Sequence, residues 1–121
     1  DIHLGFNVIL NKQRIRLMGI DTPESRTRNL EEKARGLISK QYMVDKCPVG
    51  SNIILHSLDR GKFGRILGEI WEDGVDATSI EPLNKRMCQE GFAVEYYGGS
   101  KDGLEAKHME NKEILIAKGL L

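Results

Sequence analysis

The stretch Arg14-Ile15-Arg16-Leu17-Met18-Gly19-Ile20-Asp21-Thr22-Pro23-Glu24 decides how the rest of the chain is read. Its first half alternates as a strand does, with Ile15, Leu17 and Gly19 on one face and Arg14 and Arg16 on the other. Two cations therefore project from one sheet face. Asp21-Thr22-Pro23-Glu24 ends the strand, because Pro23 has no N–H for a ladder and Asp and Thr favour turns. Upstream, Val8-Ile9-Leu10 and the turn residues Asn11-Lys12 predict a β-hairpin with this strand.

Downstream, residues 30–45 carry apolar or small side chains at Leu30, Ala34, Leu37, Ile38 and Tyr42, the stripe of an amphipathic helix. Pro48-Val49-Gly50 breaks it, and Ile53-Ile54-Leu55 starts a strand rich in β-branched residues. A glycine-punctuated turn at 58–65 leads to a returning strand at 66–71. Ile80, Leu83, Met87 and Cys88 predict a second helix stopping near Gly91, Phe92-Ala93-Val94 a short strand, and residues 104–118 a last helix closed by Gly119. Strands, helix, strand pair, helix, helix is an α+β order with a small antiparallel sheet or barrel.

At 121 residues the chain has the size of one domain, residues 1–121. A hydrophobic share of 40% with 30% charged residues predicts a buried core and excludes a disordered class. No run approaches the length of a membrane helix, and the first residues do not read as a signal peptide, so the expectation is a soluble protein, secreted or cytoplasmic. Cys47 and Cys88 have no CxxC spacing and read as half-buried thiols. His3, His56 and His108 are scattered without a metal-site spacing, and none is given a catalytic role.

The 18 basic and 18 acidic residues cancel, so any electrostatic argument is local. Between Lys12 and Arg35 seven cations face four anions, and the turn at 59–65 adds Arg60, Lys62 and Arg65 against Asp59. Residues 66–81 carry five acids and no Lys or Arg. Brought together, the two basic segments make a phosphate-binding surface; kept apart, they are a solvated mixed-charge face. Asp21 and Glu24 flank Pro23 beside Arg16. Phosphodiester cleavage uses such groups: carboxylate and carbonyl oxygens for a hard cation, a carboxylate that orients water, and guanidinium groups on the developing charge. The same turn also suits a helix lead-in with Asp or Thr as cap.

Residues 14–24, followed by Lys62-Phe63-Gly64-Arg65-Ile66-Leu67-Gly68, resemble the two signature segments of the staphylococcal nuclease (thermonuclease) family. Leu83-Asn84 and Gly91-Phe92-Ala93 resemble its later Leu-Asn and Gly-Leu-Ala segment, and Glu113 to Leu121 its closing helix. The resemblance implies an OB-fold five-stranded β-barrel with three α-helices and a Ca²⁺-dependent nuclease of DNA and RNA, single strands preferred, acting as a monomer. By position it implies phosphate-binding arginines at Arg16 and Arg65, calcium ligands at Asp21 and the Thr22 carbonyl, and a water-orienting carboxylate at Glu24. Phe63 stands where the family has a tyrosine, keeping a ring without its hydroxyl, and Tyr97 resembles a second family tyrosine that lies under a base.

The family's first strand ends in an Asp-Gly-Asp-Thr turn whose second Asp is a further calcium ligand. This sequence resembles the family from just after that turn, with Asp1 a few residues too late to replace the missing Asp. The expectation is therefore that the natural protein has residues before Asp1, a strand-swapped oligomer being the rarer arrangement. The competing reading is a catalytically inactive OB-fold module that binds nucleic acid or protein. A third is a small α+β domain with no nucleic-acid role.

Overall fold

The computed structural model describes residues 1–73 and 81–121. Ile80, expected to open the second helix, and Gly74 of the turn before it lie outside them. The elements are β1 (Ile2–His3), β2 (Ile9–Leu10), β3 (Ile15–Leu17), β4 (Ile20–Asp21), α1 (Leu30–Lys46), β5 (Ile53–Arg60), β6 (Ile66–Glu72), α2 (Leu83–Gln89), β7 (Val94–Glu95) and α3 (Leu104–Ala117). The α+β class and the three helices agree with the sequence reading.

The strand pairing differs from it. β2 pairs antiparallel with β1, Ile2 opposite Leu10, instead of with β3. Gly5, Phe6 and Asn7 all take positive φ (80°, 54° and 62°) and reverse the chain between β1 and β2, while the Asp1 carboxylate accepts from the Lys12 N–H at 2.8 Å. β3 runs parallel to β6, with Arg16 opposite Leu67. Gly19, at φ 80°, divides the expected strand 13–20 into β3 and β4, and β4 leaves β6 to pair with β7. The described strands thus form three sheets, β1-β2, β3-β6-β5 and β4-β7, and no five-stranded ring closes among the described residues.

Asn84, at the start of α2, ties the β3–β4 turn to β6. Its amide nitrogen donates to the carbonyls of Met18 (2.9 Å) and Gly68 (3.0 Å), and its oxygen accepts from the Ile70 N–H (3.1 Å). The core lies between the helices and β4-β7, with Ile20, Met87, Phe92, Ala93 and Leu115 buried together. Gly91, at φ 89°, ends the second helical run, and Gly119, at φ 75°, follows α3, as their positions predicted.

α1 packs Ile38 and Tyr42 of its apolar stripe against the core, as expected, but its inward face is rotated away from the rest of that stripe. Leu30 is 78% exposed and Leu37 is also exposed, whereas Arg35, Gly36 and Ser39 are buried. Arg35 tolerates burial because Glu31 takes its guanidinium on both oxygens, at 2.8 and 2.9 Å. Those hydrogen bonds also hold the Glu31 carboxyl below its usual range. Ser39 donates to the Phe92 carbonyl at 2.6 Å, and Gly36 lets the backbone at Glu24 and Ser25 come against the helix. Asn29 caps the helix by accepting from the Glu32 N–H at 3.1 Å.

Candidate active site

The parallel register of β3 with β6 carries Arg16 to the β5–β6 connection, where the Ile66 N–H donates to the Arg14 carbonyl at 2.9 Å. Arg16, Arg60, Lys62 and Arg65 consequently line one open cavity of about 560 Å³. Tyr96 and Tyr97, just past β7, form its other wall, and no carboxylate is among the described residues that line it. The two basic segments therefore meet, through one residue of the first and three of the second. Arg16 is set by its own backbone: one terminal nitrogen donates to the Leu17 carbonyl at 2.9 Å and the other to the Ile20 carbonyl at 2.8 Å. Two of its five N–H groups are used this way, and the fork is held rigid for an anion on its free side.

Phe63 does not line the cavity. It is 93% exposed, sits at φ 59° and has the Arg65 guanidinium 5.9 Å from its ring centre. Tyr97 does line it, 76% exposed and leaning on the Gly19 backbone so closely that a Cβ there would lie 2.7 Å from the ring. An exposed ring beside four cations is the arrangement that stacks a base while its phosphate is neutralised.

Asp21, Thr22 and Glu24 follow on the end of β4 and do not line the cavity. The Asp21 carboxylate accepts from Nε2 of His108 at 2.9 Å and has Lys101 Nζ at 3.9 Å. Lys101 also lies 5.5 Å above the Tyr96 ring, so it stands between the carboxylate and the cavity wall. Glu24 is exposed; its backbone N–H donates to Glu32 Oε1 at 3.4 Å, and Gly36 backs its carbonyl. The Asp21 carboxylate and the Thr22 carbonyl are hard oxygens suited to Ca²⁺, yet they are two ligands where the ion takes six to eight. No group of three or more His, Cys, Asp or Glu able to hold a metal occurs among the described residues. The described residues do not by themselves make a calcium site.

Reading the sequence alone missed His108, Lys101 and Tyr96 as neighbours of the site. The Asp21 partner lies 87 residues away along the chain, so no local motif announces it. A usable signal was the α3 stripe Leu104, His108, Asn111 and Leu115, spaced as one helix face. Leu104, His108 and Leu115 are buried, and Asn111 donates to the Ala93 carbonyl at 2.8 Å.

A family model described as "Staphylococcal nuclease homologue" matches residues 14–118. The chain is 32% identical over 92 residues to "Probable staphylococcal-like nuclease CAN1" of Oryza sativa subsp. japonica, covering 76% of this chain and 24% of that protein. It is 30% identical over 90 residues to "Uncharacterized 38.1 kDa protein" of Capnoides sempervirens, covering 74% of this chain and 23% of that one. The chain thus spans about a quarter of the length of these curated relatives. With the family match running from β3 through α3, the chain belongs to the staphylococcal nuclease family.

Proposed function

We propose that the chain is a nuclease domain that binds single-stranded DNA or RNA along the Arg16–Arg65 cavity and hydrolyses its phosphodiester bonds as a monomer. The single observation that carries this is the convergence of four cations and two tyrosines on one cavity in a member of this family. Arg16 and Arg65 bind the phosphoryl oxygens and stabilise the charge that develops on them. Glu24 orients the attacking water and takes its proton as the new P–O bond forms; the bond to the leaving oxygen breaks, and that oxygen takes a proton from solvent to leave as a hydroxyl. Tyr97 stacks a base, and Phe63 supports the strand from outside the cavity. The β1-β2, β3-β6-β5 and β4-β7 sheets are read as arcs of the OB-type barrel, with β3 and β4 one strand bent at Gly19.

Calcium dependence belongs to the proposal through the family resemblance, with Asp21 and the Thr22 carbonyl as the two ligands this chain would supply and the ion as a source of positive charge beside the phosphate. The second reading is a binding module without catalysis. The absence, among the described residues, of a group of three or more side chains able to hold a metal favours it.

Cleavage of a fluorescent single-stranded oligonucleotide by the full protein, in Ca²⁺ and in EDTA, tests both. Cutting in Ca²⁺ alone is expected. Equal cutting in EDTA refutes the calcium dependence, and binding with no cutting in either moves the chain to the second reading.

A further inference from the structure

Resting on the nuclease reading, we infer that His108 is a positioning residue: it holds the Asp21 carboxylate toward α3 and so fixes the orientation of the segment that carries Thr22 and Glu24. The geometry supports it from three sides. Nε2 of His108 lies 2.9 Å from Asp21 Oδ2, and a carboxylate only accepts, so Nε2 carries the proton. The imidazole is nearly enclosed, and its Nδ1 is buried without a hydrogen-bond partner among the described residues. The ring therefore spends its one polar contact on Asp21. A packing residue at this position of α3 would be apolar, as its stripe neighbours Leu104 and Leu115 are.

The contact sits where it can orient. One turn along α3, Asn111 donates to the Ala93 carbonyl next to β7, and β7 pairs with β4 so that Asp21 lies opposite Val94. α3 thus grips the β4-β7 ribbon twice, once on the backbone and once on the Asp21 side chain. Oδ2 is taken by His108, while Oδ1 faces the exposed Lys101 at 3.9 Å. Hydrogen bonding of a carboxylate by an outer partner is the usual way such a group is aimed at a bound cation or substrate.

The test uses His108→Gln, His108→Leu, Asp21→Asn and the His108→Leu/Asp21→Asn double variant of the full protein. Thermal unfolding reads the contact without reference to activity: His108→Leu and Asp21→Asn are each expected to lower Tm by about 3–6 °C, His108→Gln by less because its amide keeps a donor, and the double variant by much less than the sum of its two constituent singles. Cleavage kinetics at 20 °C reads positioning: His108→Leu is expected to lose at least tenfold in kcat with KM within about twofold, and His108→Gln, whose amide keeps a donor, to recover most of it. Additive Tm losses overturn the contact. Coupled Tm losses with unchanged kcat in His108→Leu overturn positioning. A wild-type protein that shows the Tm coupling and cuts nothing refutes positioning for catalysis along with the nuclease reading, while additive losses in an active protein refute only the inference.

Discussion

Replacing Gly36 by Ala pits two known effects against each other at one atom. In a helix interior Ala is favoured over Gly by roughly 1 kcal/mol. In α1, however, the added Cβ would lie 2.6 Å from both the carbonyl carbon and oxygen of Glu24 and 2.7 Å from the Ser25 nitrogen. These are backbone atoms, so no side-chain rotation relieves them, and the segment itself must move. Overpacking of this kind costs about 1–3 kcal/mol. Set against the propensity gain, that leaves a net loss between nothing and about 2 kcal/mol, up to several degrees in Tm. Because the displaced atoms belong to Glu24, the larger effect should be on turnover, where a shift near 1 Å is worth about a hundredfold. Thermal unfolding and single-stranded oligonucleotide cleavage, each beside wild type, read the two effects. A Gly36→Ala protein with raised Tm and full activity would refute both the close approach and the role given to Glu24.

Further expectations rest on other atoms. Asn84→Ala removes three hydrogen bonds and strands the Met18 carbonyl and the Ile70 N–H, while the Gly68 carbonyl keeps the Met18 N–H at 2.9 Å, so chemical denaturation should report a loss of about 2–4 kcal/mol; under 1 kcal/mol would mean the β3–β4 turn is not tied to β6 there. Gly19→Ala puts a Cβ against the Tyr97 ring at a left-handed backbone position, and should weaken oligonucleotide binding more than it weakens folding, as fluorescence titration beside thermal unfolding would show. Burial pushes the Cys88 thiol up to about 11 and raises that of Cys47, so at pH 8 both should alkylate far more slowly in the native than in the urea-unfolded protein. The folded state favours the protonated Cys88 thiol. Its contribution is therefore fully present below pH 9 and is lost between about pH 9 and 11, which a pH series of unfolding midpoints would reveal.

What could be read in advance follows the range of the interaction. α1, β5 and β6 are written in local periodicity, and Gly91 and Gly119 act where they stand as helix stops. The partner of β3 is not local: nothing near residues 15–17 says that they pair with β6 in parallel, and local pattern points instead to the nearer run 8–10. Burial in α1 went astray because an apolar stripe ranks Leu30 above Arg35, and only the Glu31 carboxylate makes Arg35 the better inward residue. The site divides the same way. Arg16, Asp21, Glu24 and Arg65 stand in two short motifs that are visible in the sequence, and the fold brings Arg16 and Arg65 to one cavity while Asp21 and Glu24 lie outside it. His108 acts on Asp21 across 87 residues of chain and Lys101 across 80, so both were invisible without the fold.

In the proposed function the cavity of Arg16, Arg60, Lys62 and Arg65 binds a phosphodiester backbone. The direct measurement is the affinity of the full protein for a single-stranded oligonucleotide in EDTA, across a series of salt concentrations, for wild type and for Arg65→Ala. With four phosphate contacts the slope of log K against log salt should be about −2.8, and Arg65→Ala should make it shallower by about 0.7. Binding whose slope is the same with and without Arg65, or no binding at low salt, would contradict the claim.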